Sequence, residues 1–348
     1  MSQSPRCVLL TNDDGPPDSR ESPYVFGLYK YLTKELGGIA EFAAFLDRYS
    51  NILYFLRALV ESAIGKAYQI KEITKGHYYY PTDPDGRGET SLTSRPMKEN
   101  ELAEWILLDA TPATCASIGV HNLYPGMIDL VISGPNLGRN SSSAFALSSG
   151  TIGAALAGSL SKVRSIALSY GTVIYPTPET FFNPAHTLSI KIINHLWHNW
   201  GSDEGGLRGN EVDFYNINIP LIQELLTKMG LNIYWTTMWR NSYGRLFKQI
   251  PTTGVPAKVN PAGPDAITSA TRPVKEDSDM PSGDLVFKWW PQMEGLIRPP
   301  ASSLEPGSDG WAIHQGCASV TPLRASFAEP PHVLDDNSIE GRLWRMKL

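Results

Sequence analysis

Two adjacent aspartates, Asp13 and Asp14, close the apolar run of LLTNDDG at residues 9–15. Where a strand ends, the strict alternation of side chains lapses, and two neighbours can aim at one point. Two carboxylates so placed repel each other unless a cation lies between them. Carboxylate, amide and hydroxyl oxygens suit a hard divalent ion such as Mg²⁺ or Mn²⁺. The same NDDG residues also make a good turn, in which Asn and Asp bond the local backbone and Gly15 takes a positive φ. From this stretch alone both readings stand.

A second stretch, LVISGPNLGRNSSSAFALSSGTIGAALAG at 130–158, complements the first. A strand pattern ends at Ser133. A loop rich in Gly, Asn and Ser follows, and SSGT then opens a helix of small residues. Backbone N–H groups at a helix start favour an anion. Ser149 and Thr151 add hydroxyl donors, and Gly134, Gly138 and Gly150 allow close approach to the backbone. Asn136 and Asn140 offer neutral oxygens. Taken alone, Ser149 reads as an ordinary helix cap. A carboxylate pair on one strand end and an anion cradle on another together read as a metal-assisted phosphate site.

The elements that must position these residues alternate. Short buried-strand patterns occur at CVLL, DLVIS (129–133), RSIALSY (164–170) and DFYNINI (213–219). Helical patterns lie at 24–36, 112–124, 150–162 and 184–200. Alternation of this kind predicts an α/β fold with a mainly parallel, doubly wound sheet and helices on both faces, which binds ligands at the carboxyl ends of its strands. Beyond about residue 220 the aromatic stretch NIYWTTMWRNSYGRLFK reads as a hairpin. A Pro-, Gly- and Ser-rich tract at 251–284 reads as a loop. DLVFKWWP and WAIHQGCASVTPL read as strands, and 326–348 as a tail with a short helix. One domain over 1–325 is expected.

Composition removes other classes. The 348 residues carry a net charge of −5 and no long basic run, which argues against a grip on nucleic acid. Three distant cysteines, Cys7, Cys115 and Cys317, form neither a disulfide framework nor a zinc site. The most apolar segment is broken by Asp47, Arg48 and Arg57, against a membrane span, and a soluble, cytoplasmic protein is expected. No glycine loop ends in GK[ST], which disfavours an NTPase. The first strand leads to TNDDG rather than to G-x-G-x-x-G, against a dinucleotide-binding dehydrogenase.

LLTNDDG, DATPATC (109–115), VISGPNLGRN and SSGTIGAA, with the later NINIP (216–220) and SDGWAIHQGCASVTPL (308–323), resemble in order and spacing the SurE family of nucleotidases and phosphatases, and within it the fungal acid-phosphatase branch. The resemblance covers most of residues 6–325. It implies a Rossmann-like domain that dephosphorylates nucleoside 5′- and 3′-monophosphates with one divalent ion, Mg²⁺ or Mn²⁺. It implies Asp13, Asp14 and Asn136 as metal ligands at the catalytic centre, Asn140, Ser149, Gly150 and Thr151 on the substrate side, and Ser62 of ESAIGKA as a further metal ligand. It also implies a homodimer. The aromatic C-terminal strands, apolar enough to need a partner, point the same way. A catalytically impaired binding or scaffold domain is the alternative.

Between Gly38 and Glu61 the family's second strand is not visible. Ile39, Phe42, Ala43, Leu46, Tyr49, Leu53, Leu56 and Val60 recur near helical spacing. The expectation is a helical insertion in place of the strand, which would leave an edge of the first strand open or covered by the helix, or else codons that do not belong to the reading frame. Among other candidates, His195 and His198 share a helix surface rather than a metal site, and His314 packs within a strand. His77 and the Tyr78–Tyr80 cluster suit a packed hairpin, with base stacking as the second reading.

Overall fold

A computed structural model of the chain describes residues 7–36, 53–57 (as backbone), 64–71, 73–172, 176–249, 285–291 and 294–328. In chain order its strands are β1 (Val8–Asn12), β2 (Leu53–Arg57), β3 (Gly76–Pro81), β4 (Gly88–Ser91), β5 (Trp105–Leu108), β6 (Leu130–Leu137), β7 (Arg164–Gly171), β8 (Phe214–Pro220), β9 (Ile233–Trp235), β10 (Phe247–Gln249), β11 (Phe287–Trp289) and β12 (Ala318–Leu323). The helices are α1 (Pro23–Leu36), α2 (Pro112–Ile118), α3 (Ser143–Ser148), α4 (Gly150–Leu160), α5 (Phe182–His198), α6 (Glu294–Ile297) and α7 (Asp309–His314).

Ten strands form one sheet in the order β4-β3-β5-β2-β1-β6-β7-β8-β12-β9. From β5 to β8 every neighbouring pair is parallel. Antiparallel pairings bring in β3 and β4 at one end and β12 at the other. This is the doubly wound α/β sheet that the strand–helix alternation predicts. Along β1, Val8 and Leu10 point into the core shared with α1 and α5, and Leu9 points into the core under α2. That period of two lets a five-residue apolar run serve both faces. On the second face Ala113 and Ala116 of α2 meet Ala154 and Ala157 of α4. With methyl groups alone between them the two helices pack closely, and their N-termini come together at the carboxyl end of β1.

Three expectations are corrected. Residues 53–57 are a strand, not part of a helical insertion: β2 runs parallel to β1, with Val8 opposite Leu53 and Asn12 opposite Arg57, and it also pairs with β5. The edge of β1 is therefore closed. An inner strand of a parallel sheet is mostly apolar in sequence, as LYFL is at 53–56, so its spacing imitates a helix. Residues 38–52 and 58–61 lie outside the described residues, as does the 251–284 tract.

His314 ends helix α7 and is exposed rather than packed in a strand. The NIYWTTMWRNSYGRLFK stretch does not fold on itself. Its Ile233–Trp235 joins the main sheet parallel to β12, and its Phe247–Gln249 pairs with Phe287–Trp289 across the intervening tract. The three cysteines are buried thiols. Among the described residues no helix is long and apolar enough to cross a membrane.

Candidate active site

The carboxylate pair sits where β1 ends. Asn12, the last residue of the strand, folds its side chain under the turn. Its Oδ1 accepts from the Asp14 amide at 2.6 Å, and its Nδ2 donates to the Pro135 carbonyl at 2.8 Å. One amide thus shapes the NDDG turn and ties it to the last residues of β6. The turn reading holds: Gly15 has φ of 120°, and the Asp13 and Asp14 carboxyls are set among protein atoms.

Asp14 Oδ2 accepts two hydrogen bonds, from the Tyr24 hydroxyl at 2.9 Å and from the Leu137 amide at 3.0 Å. Asp13 lies at the start of α4. A Cβ on Gly150 would stand 2.6 Å from Oδ2 of Asp13 and 2.7 Å from Cγ of Pro112. The absent side chain at Gly150 is therefore what lets Asp13 reach the first turn of α4. That turn carries the partial positive charge of free N–H groups, which steadies an anion. Ser149 is the N-cap, accepting from the Ile152 amide at 3.2 Å and leaving its own O–H to donate. Thr151 Oγ1 is buried and completes no well-formed hydrogen bond, while its hydroxyl acts on the Asp13 carboxylate.

Burial, and then the charge of Asp14, raise Asp13 from the ordinary 3.8 to about 7. Asp14 is raised as well, by burial, against the opposing pull of its Leu137 and Tyr24 donors. Burial and the nearby Asp14 hold the Tyr24 hydroxyl well above its usual range, so it stays a donor. Two partly accessible carboxyls, set deep among protein atoms and raised in this way, are short of positive charge.

A divalent cation is the simplest group to supply that charge. The donor chemistry suits a hard ion: two carboxylates, with the amide oxygen of Asn136, whose Nδ2 donates to the Gly138 carbonyl at 2.6 Å, as a candidate neutral donor. Among the described residues no three His, Cys, Asp or Glu side chains cluster to hold a metal. Neutral oxygens must then complete any such site.

Asn140 is placed differently from the other predicted residues. It is 2% exposed. Its amide N–H donates to Asn218 Oδ1 at 2.7 Å, its Nδ2 donates to Ser169 at 2.9 Å, and its carbonyl accepts from Asn216 at 2.8 Å. These bonds clamp the loop after β6 onto β7 and β8. Ser62 lies outside the described residues. Three positions later, the Gly65 amide donates to the Ser148 carbonyl at 2.7 Å, and the Gln69 amide donates to Thr114 at 3.0 Å. The segment after Ser62 thus runs across the starts of α2 and α4. His195 and His198 are exposed on α5, away from any metal cluster among the described residues.

Sequence reasoning missed Tyr24, the Leu137 amide and the bond from Asn12 to Pro135. Asn12 had a local signal, since an Asn two residues before a turn amide commonly accepts from it. Tyr24 had none, because helix packing alone brings it to Asp14.

Residues 8–245 match the family described as Survival protein SurE. The chain belongs to the SurE family. It is 28% identical over 354 residues to the Saccharomyces cerevisiae protein named probable tubulin–tyrosine ligase PBY1, covering 94% of this chain and 42% of that one. It is 30% identical over 143 residues to the 5′-nucleotidase SurE of Campylobacter hominis, covering 40% of this chain and 53% of that one. With the 5′-nucleotidase SurE of Pelotomaculum thermopropionicum it shares 26% identity over 231 residues, or 66% and 68% of the two chains. The chain thus spans about half the length, or less, of the first two of these relatives. The crystal structure of the SurE protein from Aquifex aeolicus has the same fold, with a TM-score of 0.52 at 20% identity over 92% of this chain and 94% of that one.

Proposed function

We propose that the chain is a divalent-metal-dependent phosphomonoesterase acting on nucleoside 5′- or 3′-monophosphates. One observation carries this reading: the raised carboxylate of Asp13 lies against the first turn of α4, with Asp14 beside it. A cation site and an anion cradle then share one point, which is what a phosphate ester with a bound metal requires. The relatives named 5′-nucleotidase support the substrate class.

In this reading Asp13, Asp14, Asn136 and Ser62 hold the ion, Mg²⁺ or Mn²⁺. When bound, such an ion offsets phosphoryl charge and makes a water more acidic. Tyr24 and the Leu137 amide fix Asp14, so its free oxygen keeps one direction. Ser149, Thr151 and the amides that open α4 hold the phosphoryl oxygens as their charge shifts in the transition state. Asn140 holds the loop that follows Asn136 and the end of β6. Attack by water, or by Asp13 to give an aspartyl-phosphate, fits the same geometry, and rapid-quench trapping of a phosphoenzyme separates them.

The name of the yeast relative raises a ligase as an alternative. That activity is said of a protein of which this chain covers 42%. Phosphate release from nucleoside monophosphates and p-nitrophenyl phosphate, with Mn²⁺ or Mg²⁺ and then with excess EDTA, tests the proposal. Turnover that EDTA abolishes and metal restores is expected. Full turnover in EDTA would end the metal reading, and no turnover under any condition would leave a binding domain.

A further inference from the structure

A metal-bound phosphate monoester at this site leaves negative charge unmatched. Asp13 and Asp14 carry one charge each when ionised, and a divalent ion offsets both. The monoester brings about two more. The start of α4 supplies only about half a positive charge, and its first turn holds no charged side chain. Arg139, in the loop after β6, is turned to α6, where it donates to the Leu296 and Ile297 carbonyls at 2.9 and 2.6 Å. A further cation has to come from another segment.

The strap at 64–69 carries one, Lys66, and its backbone is fastened on both sides of that residue. Before it, the Gly65 amide donates to the Ser148 carbonyl at 2.7 Å. After it, the Ala67 carbonyl accepts from the Thr111 hydroxyl at 2.5 Å, and the Gln69 amide donates to Thr114 at 3.0 Å. A Cβ on Gly153 would stand 2.4 Å from the Gly65 carbonyl oxygen and 3.0 Å from Cα of Lys66. The missing side chain lets the strap lie directly on α4.

The same helix relates Lys66 to the carboxylates. A Cβ on Gly150 would stand 2.6 Å from Asp13 Oδ2. Positions three apart on a helix share a face, with Cβ atoms about 5–6 Å apart. Cα of Lys66 therefore lies within about 12 Å of that oxygen. The four-carbon stem of a lysine reaches about 6 Å, enough to bring the ammonium to a phosphoryl group held at the start of α4.

The ammonium stands 4.3 Å from the centroid of the Tyr68 ring, and among the described residues no carboxylate pairs with it. Tyr68 is exposed, and a cation–π contact at an exposed site is weaker than a hydrogen bond to a charged oxygen. The ring is thus a resting place that a phosphate can outcompete.

We propose that Lys66 is a further substrate-binding residue, whose ammonium leaves the Tyr68 ring and donates to a phosphoryl oxygen at the start of α4. This rests on the phosphomonoesterase reading above. The lysine adds the positive charge that the ion and the helix start do not supply, and it holds that oxygen as charge shifts in the transition state.

Lys66→Met keeps the stem and removes the charge, and Lys66→Arg keeps the charge. Lys66 is half-buried on the strap, so both variants should melt with the unmodified chain. The full chain and both variants are assayed on p-nitrophenyl phosphate with Mn²⁺, with inorganic phosphate as inhibitor. In Lys66→Met the inhibition constant for phosphate should rise about tenfold, the scale of one hydrogen bond between charged groups, and kcat/KM should fall at least as far. Lys66→Arg should recover most of both, with the Mn²⁺ requirement unchanged throughout. An unchanged phosphate inhibition constant in Lys66→Met overturns the proposal, and so does a loss that Lys66→Arg does not recover. If the unmodified chain does not hydrolyse p-nitrophenyl phosphate, the phosphomonoesterase reading fails by itself, and calorimetric titration with inorganic phosphate in Mg²⁺ decides the lysine. Binding about tenfold weaker in Lys66→Met supports it. Equal binding, or none by the unmodified chain, overturns it.

Discussion

The Tyr24 hydroxyl and the Leu137 amide donate to the same oxygen of Asp14, at 2.9 and 3.0 Å. One donor comes from the first turn of α1 and the other from the end of β6, so helix and sheet jointly fix the carboxylate. Tyr24 is 4% exposed and its ring packs at 5.5 Å from that of Phe182. Tyr24→Phe keeps this packing and removes only the hydroxyl. Partners that orient a metal ligand are worth about 10–100-fold in metal affinity. The expected outcome is a Mn²⁺ requirement shifted upward by about tenfold, with the melting temperature little changed. Metal titration of the activity, beside a thermal melt, checks it.

The raised Asp13 makes the metal-free protein sensitive to pH in a set direction. Its folded value, about 7, lies above the ordinary 3.8. Between those values the folded state binds more protons than the unfolded state, so stability falls as pH rises. The contribution is complete below about pH 4 and is lost as pH climbs through about 7. Asp13→Asn removes the titrating group and should flatten this slope. Thermal melts in EDTA across pH 4–8 measure it, with a slope of the opposite sign counting against the assignment. Metal binding should release protons over the same range, so affinity should fall below about pH 7.

Much of the candidate site was legible because its residues are local. Asp13–Asp14 and Ser149–Thr151 each form a short motif at an element boundary, and the turn and cap rules that govern such boundaries are sequence rules. The helices α1, α4 and α5 were legible for the same reason. What the sequence hid is tertiary. Tyr24 reaches Asp14 only because α1 packs on the sheet.

Strand β2 was hidden by its uniformity, since LYFLR has no alternation to separate strand from helix. Asn216 and Asn218 alternate with apolar residues in FYNINIP, and in a fully buried strand this is a sign of polar duty. Their partner, Asn140, lies 76 and 78 residues away. The start of α7 was readable in hindsight: Ser308 caps it, accepting from Trp311 at 3.2 Å, but the apolar run around Ile313 looked like a strand.

The β10–β11 sheet predicts self-association. Phe247, Phe287 and Trp289 are 53%, 57% and 48% exposed, and a two-stranded sheet is marginal alone in water. A second copy is the partner expected from the aromatic character of these strands. Light scattering at micromolar concentration should give a homodimer or larger assembly, and Phe247→Glu with Trp289→Glu should shift it toward monomer. A monodisperse monomer for the unmodified chain would contradict this.

Gly150 offers the sharpest test of the shared cation and anion point. Alanine is ordinarily the better residue inside a helix, by roughly 1 kcal/mol over glycine. Here its Cβ would meet Asp13 Oδ2 at 2.6 Å and Pro112 Cγ at 2.7 Å, both closer than real contacts. The proline ring is held by the chain on both sides, so the Asp13 carboxyl is the group that gives way. Gly150→Ala should therefore reduce turnover by at least about tenfold, since small misplacements at a reacting centre cost about a hundredfold. Circular dichroism should stay native, because the change is confined to the first turn. Turnover equal to that of the unmodified chain would mean that Asp13 does not act from its place beside α4, and the phosphate-site reading would lose its main support.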